Sequence, residues 1–186
     1  RGLGDVYKRQ PQLSVAFLIS LFQKGDLAAL ETQLQELLQT HPLSPALWGL
    51  QGALEKTRGN RAEALRAFRF AAMLGPESPT AHNNLGLALQ DDAQLEAAIA
   101  CFQRATGLKP DYFEAFRNLG LAQKSADQTD SAIASFRRAI EIKPDYADGH
   151  YSLGNALSSL NRFNEAIGSF QTPPSLRPDF TLAHFN

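Results

Sequence analysis

The chain has 186 residues, 44% hydrophobic and 9% aromatic, with 18 Lys and Arg against 19 Asp and Glu for a formal charge of −1. That length can bury a real core, the near-neutral balance lacks the clustered cations that nucleic-acid binding needs, and one cysteine, Cys101, excludes an internal disulfide framework and a cysteine-based zinc site. The longest apolar run, Leu13 to Phe22, is about half the roughly 20 residues of a membrane helix, so a soluble chain with no membrane partner is expected.

Repetition organises the rest. Prolines fall at Pro42, Pro76, Pro110, Pro144 and Pro178, each 34 residues after the last. Gly52, Gly86, Gly120 and Gly154 keep that interval, as do Ala64, Ala98, Ala132 and Ala166, and Phe68, Phe102, Phe136 and Phe170. A start at Pro11 divides the chain into five repeats, 11–44, 45–78, 79–112, 113–146 and 147–180, between a head (1–10) and a tail (181–186).

In chain order, residues 1–10 fit no repeat. Their string Arg-Gly-Leu-Gly-Asp-Val-Tyr-Lys-Arg-Gln resembles translated adapter sequence, and the fold is expected to begin after them. Gly2 and Gly4 form no phosphate loop, since a third glycine and a preceding strand are lacking. In the first repeat Leu18 and Leu30 stand where small residues recur and Leu34 replaces the phenylalanine, which predicts wider helix spacing at an end of the array. Lys8-Arg9 ahead of Leu13–Phe22 also allows a signal peptide, against which no small-residue cleavage site follows.

Within the third repeat Leu85, Leu89, Ala98, Phe102 and Ala105 recur at three- and four-residue steps, interrupted between Asp91 and Gln94: two helices and a turn. The interruption keeps one register, Gly25, Gly59, Ala93, Asp127 and Asn161. Gly, Asn and Asp accept the left-handed conformation that ends a helix, and Ala93 fits least well. The second helix of each repeat is expected to stop at its proline, which pushes the preceding residue out of helical space. Gly86 and Ala98 let the paired axes approach to the lower end of about 8–10 Å, and Phe102 is expected to fill the space toward the next repeat. In the fifth repeat Pro173-Pro174 would cost roughly 3 kcal/mol or more each inside a helix, so the helix should end near Gln171. Thr181 to Asn186 matches the opening of a sixth repeat. The expected architecture is an all-α, right-handed superhelical solenoid of antiparallel helix pairs, because one pair cannot bury its apolar faces alone.

Trp48-x-x-Gln51-Gly52, Leu85-Gly86, Leu119-Gly120 and Leu153-Gly154, followed by Ala, Phe and Pro at fixed offsets, resemble the tetratricopeptide repeat over residues 11–180. The Lys-Pro-Asp-Tyr joints at 109–112 and 143–146 are most similar to the arrays that precede O-GlcNAc-transferase-like glycosyltransferases and similar bacterial enzymes. The resemblance implies a concave face built from positions two, five, six, nine and twelve of each repeat.

Candidate chemistry is sparse. His82, His150 and His184 share the fourth position with Trp48 and Phe116, which marks a packing position with room for one polar edge; metal bonds of about 2 Å cannot span repeats. His41 stands outside that register. No HExxH, GxSxG, phosphate-loop or paired-cysteine spacing occurs, Asp91-Asp92 is expected at a helix end facing water, and Cys101 is expected to be a buried, inert thiol. The expectation is a non-catalytic chain with no cofactor and no metal, in a cytoplasm that a lone cysteine permits.

Binding is a different matter. The sixth position reads Leu50, Asn84, Asn118, Ser152 and Asn186. A carboxamide offers both acceptor and donors, so an asparagine row could hold the backbone of an extended peptide, as the resemblance to O-GlcNAc-transferase-like arrays implies. Asn83, Arg117, Tyr151 and Asn155 are expected beside it, a mixture suited to a polypeptide. The carboxylate clamp of chaperone-tail binders is excluded: its positions hold Asn83, Leu87, Asn118, Asp148 and Ser152, and Asp148 has the wrong sign. Two functions follow: a scaffold binding an extended segment of another protein, or the substrate-recruiting arm of a larger glycosyltransferase or sulfotransferase. An apolar face at the sixth repeat would also allow self-association.

Overall fold

The computed structural model describes residues 15–171, and every regular element among them is an α-helix. These are α1 over 15–24, α2 Leu27–Thr40, α3 Pro45–Thr57, α4 Arg61–Leu74, α5 Pro79–Asp91, α6 Leu95–Leu108, α7 Phe113–Ser125, α8 Thr129–Ile142, α9 Ala147–Ser159 and α10 Phe163–Phe170. The fold is thus all-α, made of helix pairs. The head, Pro173-Pro174, the sixth-repeat stub, His184 and Asn186 lie outside the described residues; α10 ends at Phe170, with Gln171 as its C-cap.

Both kinds of helix end follow from single residues. Between paired helices Gly25, Gly59, Ala93, Asp127 and Asn161 all adopt positive φ, from 57° to 81°. Around Gly59 the turn is a Schellman motif: the Gly59 N–H donates to the Lys56 carbonyl at 3.0 Å and the Asn60 N–H to the Glu55 carbonyl at 2.9 Å. Asp127 and Asn161 close the same pair of bonds. At the other end, α2, α4, α6 and α8 stop two residues before Pro42, Pro76, Pro110 and Pro144. The residue before each proline leaves the helix, as at Lys109 with φ −135° and ψ 91°. Ser78 caps α5 by accepting from the Ala81 N–H at 3.2 Å, and Pro79 starts the helix where a missing N–H does no harm.

The described chain forms two compact halves, one ending at Asp92 and one starting at Ala93. In the first half α2 packs on α3, α3 on α4, and α4 on α5. Leu18 and Leu21 from α1 join Leu30 and Leu34 from α2 and Leu47 and Leu54 from α3 in one core. The leucines that replace small residues in the first repeat are therefore fully buried core. In the second half α6 to α10 pack in succession, around Ile133, Phe136, Leu153, Ala156 and Leu157.

The recurring phenylalanines Phe68 and Phe136 have a second partner beyond the one that sequence suggests. Phe68 lies against Gly52 and Phe136 against Gly120, each in its own repeat; a Cβ on Gly52 would stand 2.6 Å from the Phe68 ring. The glycine makes room for that ring. The ring also serves the next repeat as expected: Phe136 shares one core with Leu153, Ala156 and Leu157 of the following repeat. Cys101 departs from expectation, being half-buried rather than buried.

Candidate functional site

The candidate residues sit on the first helices of their repeats, and the two halves present them separately. In the first half Asn84 of α5 lines a depression of about 480 Å³ with Phe22 of α1, Ala53 and Lys56 of α3, Phe68 of α4, and Leu87. Helical spacing explains the set: Asn84 and Leu87 lie three residues apart on one face of α5, as Ala53 and Lys56 do on α3. Lys56 pairs with Asp91 at 2.7 Å, both side chains about half exposed, so Asp91 stands at the solvent-facing end of α5 and carries a surface ion pair to α3. Asn83 is only 5% exposed, whereas its neighbour Asn84 is half-exposed.

In the second half α7 carries Arg117 and Asn118, and α9 carries Tyr151, Ser152 and Asn155. Asn118 and Ser152 are 9% and 6% exposed, whereas Tyr151 is 41% exposed and Arg117 and Asn155 are half-buried. The sixth-position row is therefore uneven. Asn84 is partly exposed, and Asn118 and Ser152 are largely covered. The Tyr151 ring lies 5.9 Å from that of Phe170. The Arg117 Nε is buried without a hydrogen-bond partner. Burial pushes the Tyr146 phenol above its ordinary value while the Arg117 charge opposes the shift, which places that guanidinium's field at the start of α9.

The Lys-Pro-Asp-Tyr joints serve packing. Lys143 lies 4.8 Å from the Phe113 ring centroid, Phe113 meets Tyr146 edge-on at 4.9 Å, and Lys109 covers its own Tyr112 at 5.0 Å. The fourth position is likewise explained. The Trp48 Nε1–H donates to the Pro42 carbonyl at 2.7 Å, and His82 Nε2 and His150 Nε2 stand 2.9 and 2.8 Å from the Pro76 and Pro144 carbonyls. Each ring thus ties its helix to the proline joint before it, and for the histidines this fixes Nε2 as the donor. Among the described residues no group of His, Cys, Asp and Glu could hold a metal ion, and no helix is long and apolar enough to cross a membrane.

Sequence reasoning missed Lys56 and Phe22. The signal for both was the twelfth position of the repeat, which Phe22 holds in the first repeat and Lys56, 34 residues later, in the second.

A family model described as TPR repeat matches residues 94–127 and 125–161. No curated protein matches by sequence. The fold is similar to the crystal structure of MamA, with 26% identity, TM-score 0.74, and coverage of 82% of this chain and 89% of that one. YrrB, a TPR protein with an unusual peptide-binding site, matches at 21% identity and TM-score 0.72, covering 89% of this chain and 86% of its own. A thermophilic TPR protein of Thermus thermophilus matches at 19% identity and TM-score 0.71, covering 90% of this chain and 92% of its own. Residues 94–161 are thus matched as tetratricopeptide repeats, and the described chain shares the helix-pair fold of these structures.

Proposed function

We propose that this chain is a protein-interaction scaffold that binds an extended segment of another protein along the first helices of its repeats, and that it does so without catalysis. The observation that carries the reading is the Asn84 depression. It offers an apolar floor (Phe22 and Leu87 over the buried ring of Phe68), one partly exposed carboxamide, and a lysine paired with Asp91. Such a surface seats an apolar side chain while the carboxamide holds the peptide backbone beside it. In the second half Arg117, Tyr151 and Asn155 supply the equivalent polar contacts, with Asn118 and Ser152 covered beside them, as Asn83 is beside Asn84 in the first half. The peptide-binding site of YrrB, a protein of the same fold, supports the same use of this one.

The test is a peptide array probed with the full chain, followed by titration of the selected peptides. Asn84→Ala and Asn155→Ala should each weaken binding by about 0.5–1.5 kcal/mol, the worth of one hydrogen bond, with helicity unchanged. Peptides that bind the double variant as tightly as the wild type would overturn the reading.

A further inference from the structure

A second groove lies apart from the Asn84 face, and the repeat itself indicates what belongs in it. Helices α2, α3 and α4 enclose a space of about 370 Å³ that is lined by Gln35, Trp48, Glu55 and Phe70 among others. The same positions three periods later enclose the space between α8, α9 and α10, where Arg137, His150, Leu157 and Glu165 recur. There the chain supplies its own guanidinium: Arg137 donates at 3.0 Å to the carboxylate of Glu165, which holds the Glu63 position, while Leu157 stands at the Glu55 position. In the α7–α8 pair, Arg138 holds its guanidinium 6.0 Å from the ring of Phe116, which occupies the Trp48 position.

The α2–α3–α4 groove has acceptors for such a group but not the group. At the two positions that hold Arg137 and Arg138 in the later repeats, this groove has Gln35 and Phe70. Phe70, which is 45% exposed, stacks on Trp48 with ring centroids 4.9 Å apart, so the aromatic floor is wider than in the sibling grooves. Glu55 is 9% exposed and receives only amide donors, from Gln51 at 2.7 Å and Asn60 at 2.8 Å. A carboxylate has about four acceptor sites, so two stay open. The nearby cations make their hydrogen bonds elsewhere: Arg58, whose charge also acts on Glu55, makes two 2.7 Å bonds to Glu31, which offsets that charge, and Arg66 is bound by both Glu63 oxygens. With Glu63 and Arg66 cancelling, the groove carries one uncompensated negative charge beside an aromatic pair.

We propose that the groove between α2, α3 and α4 is a docking site for an arginine side chain of a partner protein. The guanidinium stacks on Trp48 and Phe70 and donates to Glu55, the planar geometry and weak hydration of Arg suiting both contacts better than Lys does. The site is independent of the Asn84 face.

Trp48 is the only tryptophan in the chain, so its emission reports on this groove directly. The full chain is titrated with hexa-arginine, hexa-lysine and hexa-glutamate peptides at low and at physiological salt. Hexa-arginine should change Trp48 emission saturably and bind at least about fivefold tighter than hexa-lysine, with no response to hexa-glutamate. Glu55→Gln should weaken hexa-arginine binding about tenfold. Gln35→Arg, which leaves Glu55 untouched and supplies the guanidinium internally as Arg137 does, should weaken it similarly and keep full helicity. Asn84→Ala should change nothing here, which separates this site from the peptide face. An unresponsive Trp48, equal affinity for lysine and arginine peptides, or undiminished binding by folded Gln35→Arg would each overturn the proposal.

Discussion

Helix α3 contains two glycines three residues apart whose replacement by alanine should act in opposite directions. Gly49 lies in the helix interior, and a Cβ built there meets no heavy atom within 4 Å. Alanine at that position gains the ordinary helix preference of about 0.8–1.0 kcal/mol. Gly52 has the same preference to gain, but its Cβ would stand 2.6 Å from Phe68 Cδ1 and Cε1 and 2.9 Å from Cγ. The ring cannot swing into water, because Phe68 is buried. Overpacking of this kind costs about 1–3 kcal/mol, which turns the gain into a net loss of up to about 2 kcal/mol once the ~1 kcal/mol of helix preference is credited. The two variants should therefore differ by about 1–3 kcal/mol in urea unfolding followed by far-ultraviolet circular dichroism, with equal m-values. Phe68→Leu should relieve the clash, so Gly52→Ala should be less harmful in that background than alone. If Gly52→Ala proves as stabilising as Gly49→Ala, the ring does not occupy the space of the missing side chain, and the account of why the repeat keeps glycine there fails.

That account was only half legible in the sequence. The 34-residue interval shows that a glycine and a phenylalanine are linked, but not that Phe68 lies over Gly52 in the same repeat, because both its own and the next repeat lie within reach of a ring that size. Helix ends were fully legible, since proline and the left-handed residues act locally: Lys109 leaves the helix because of its immediate neighbour. The binding face was legible as a set of positions and not as a surface. Asn84 and Asn118 hold the same position yet differ in exposure, because what covers an asparagine comes from other helices whose side chains differ between repeats. Glu55 illustrates the limit further. Its importance depends on Gln51, Asn60, Trp48 and Phe70 meeting around it, and two of those, Gln51 and Phe70, belong to positions where the next repeats carry leucine and arginine. Periodicity identifies equivalent places; which of them is left without its arginine needs the packing.

Ala93 holds φ 57° where the other repeats use Gly, Asp or Asn, and a left-handed Cβ costs roughly 1–2 kcal/mol; Ala93→Gly should raise the melting temperature, and an unchanged or lowered one would contradict the strain. Phe136→Ala, at a fully buried site, should destabilise by about 3–5 kcal/mol, measured by urea unfolding. Trp48→Phe removes the donor to the Pro42 carbonyl and should cost about 1 kcal/mol. The Glu165 carboxyl is held below its ordinary 4.5 by its hydrogen bond to Arg162, with the Arg162 and Arg137 charges adding to the effect. Below 4.5 the unfolded chain takes up this proton first, so the stabilisation by the pair is complete above that value and disappears as pH falls through the lowered one. Protonated Glu165 then resembles glutamine in shape and charge. The melting temperatures of wild type and Glu165→Gln should accordingly differ at pH 7, converge on acidification below the ordinary carboxylate range, and converge also at pH 7 in 1 M salt, because the pair is exposed and screened. A gap that persists at low pH would mean that glutamine disturbs the helix for a reason unconnected with charge.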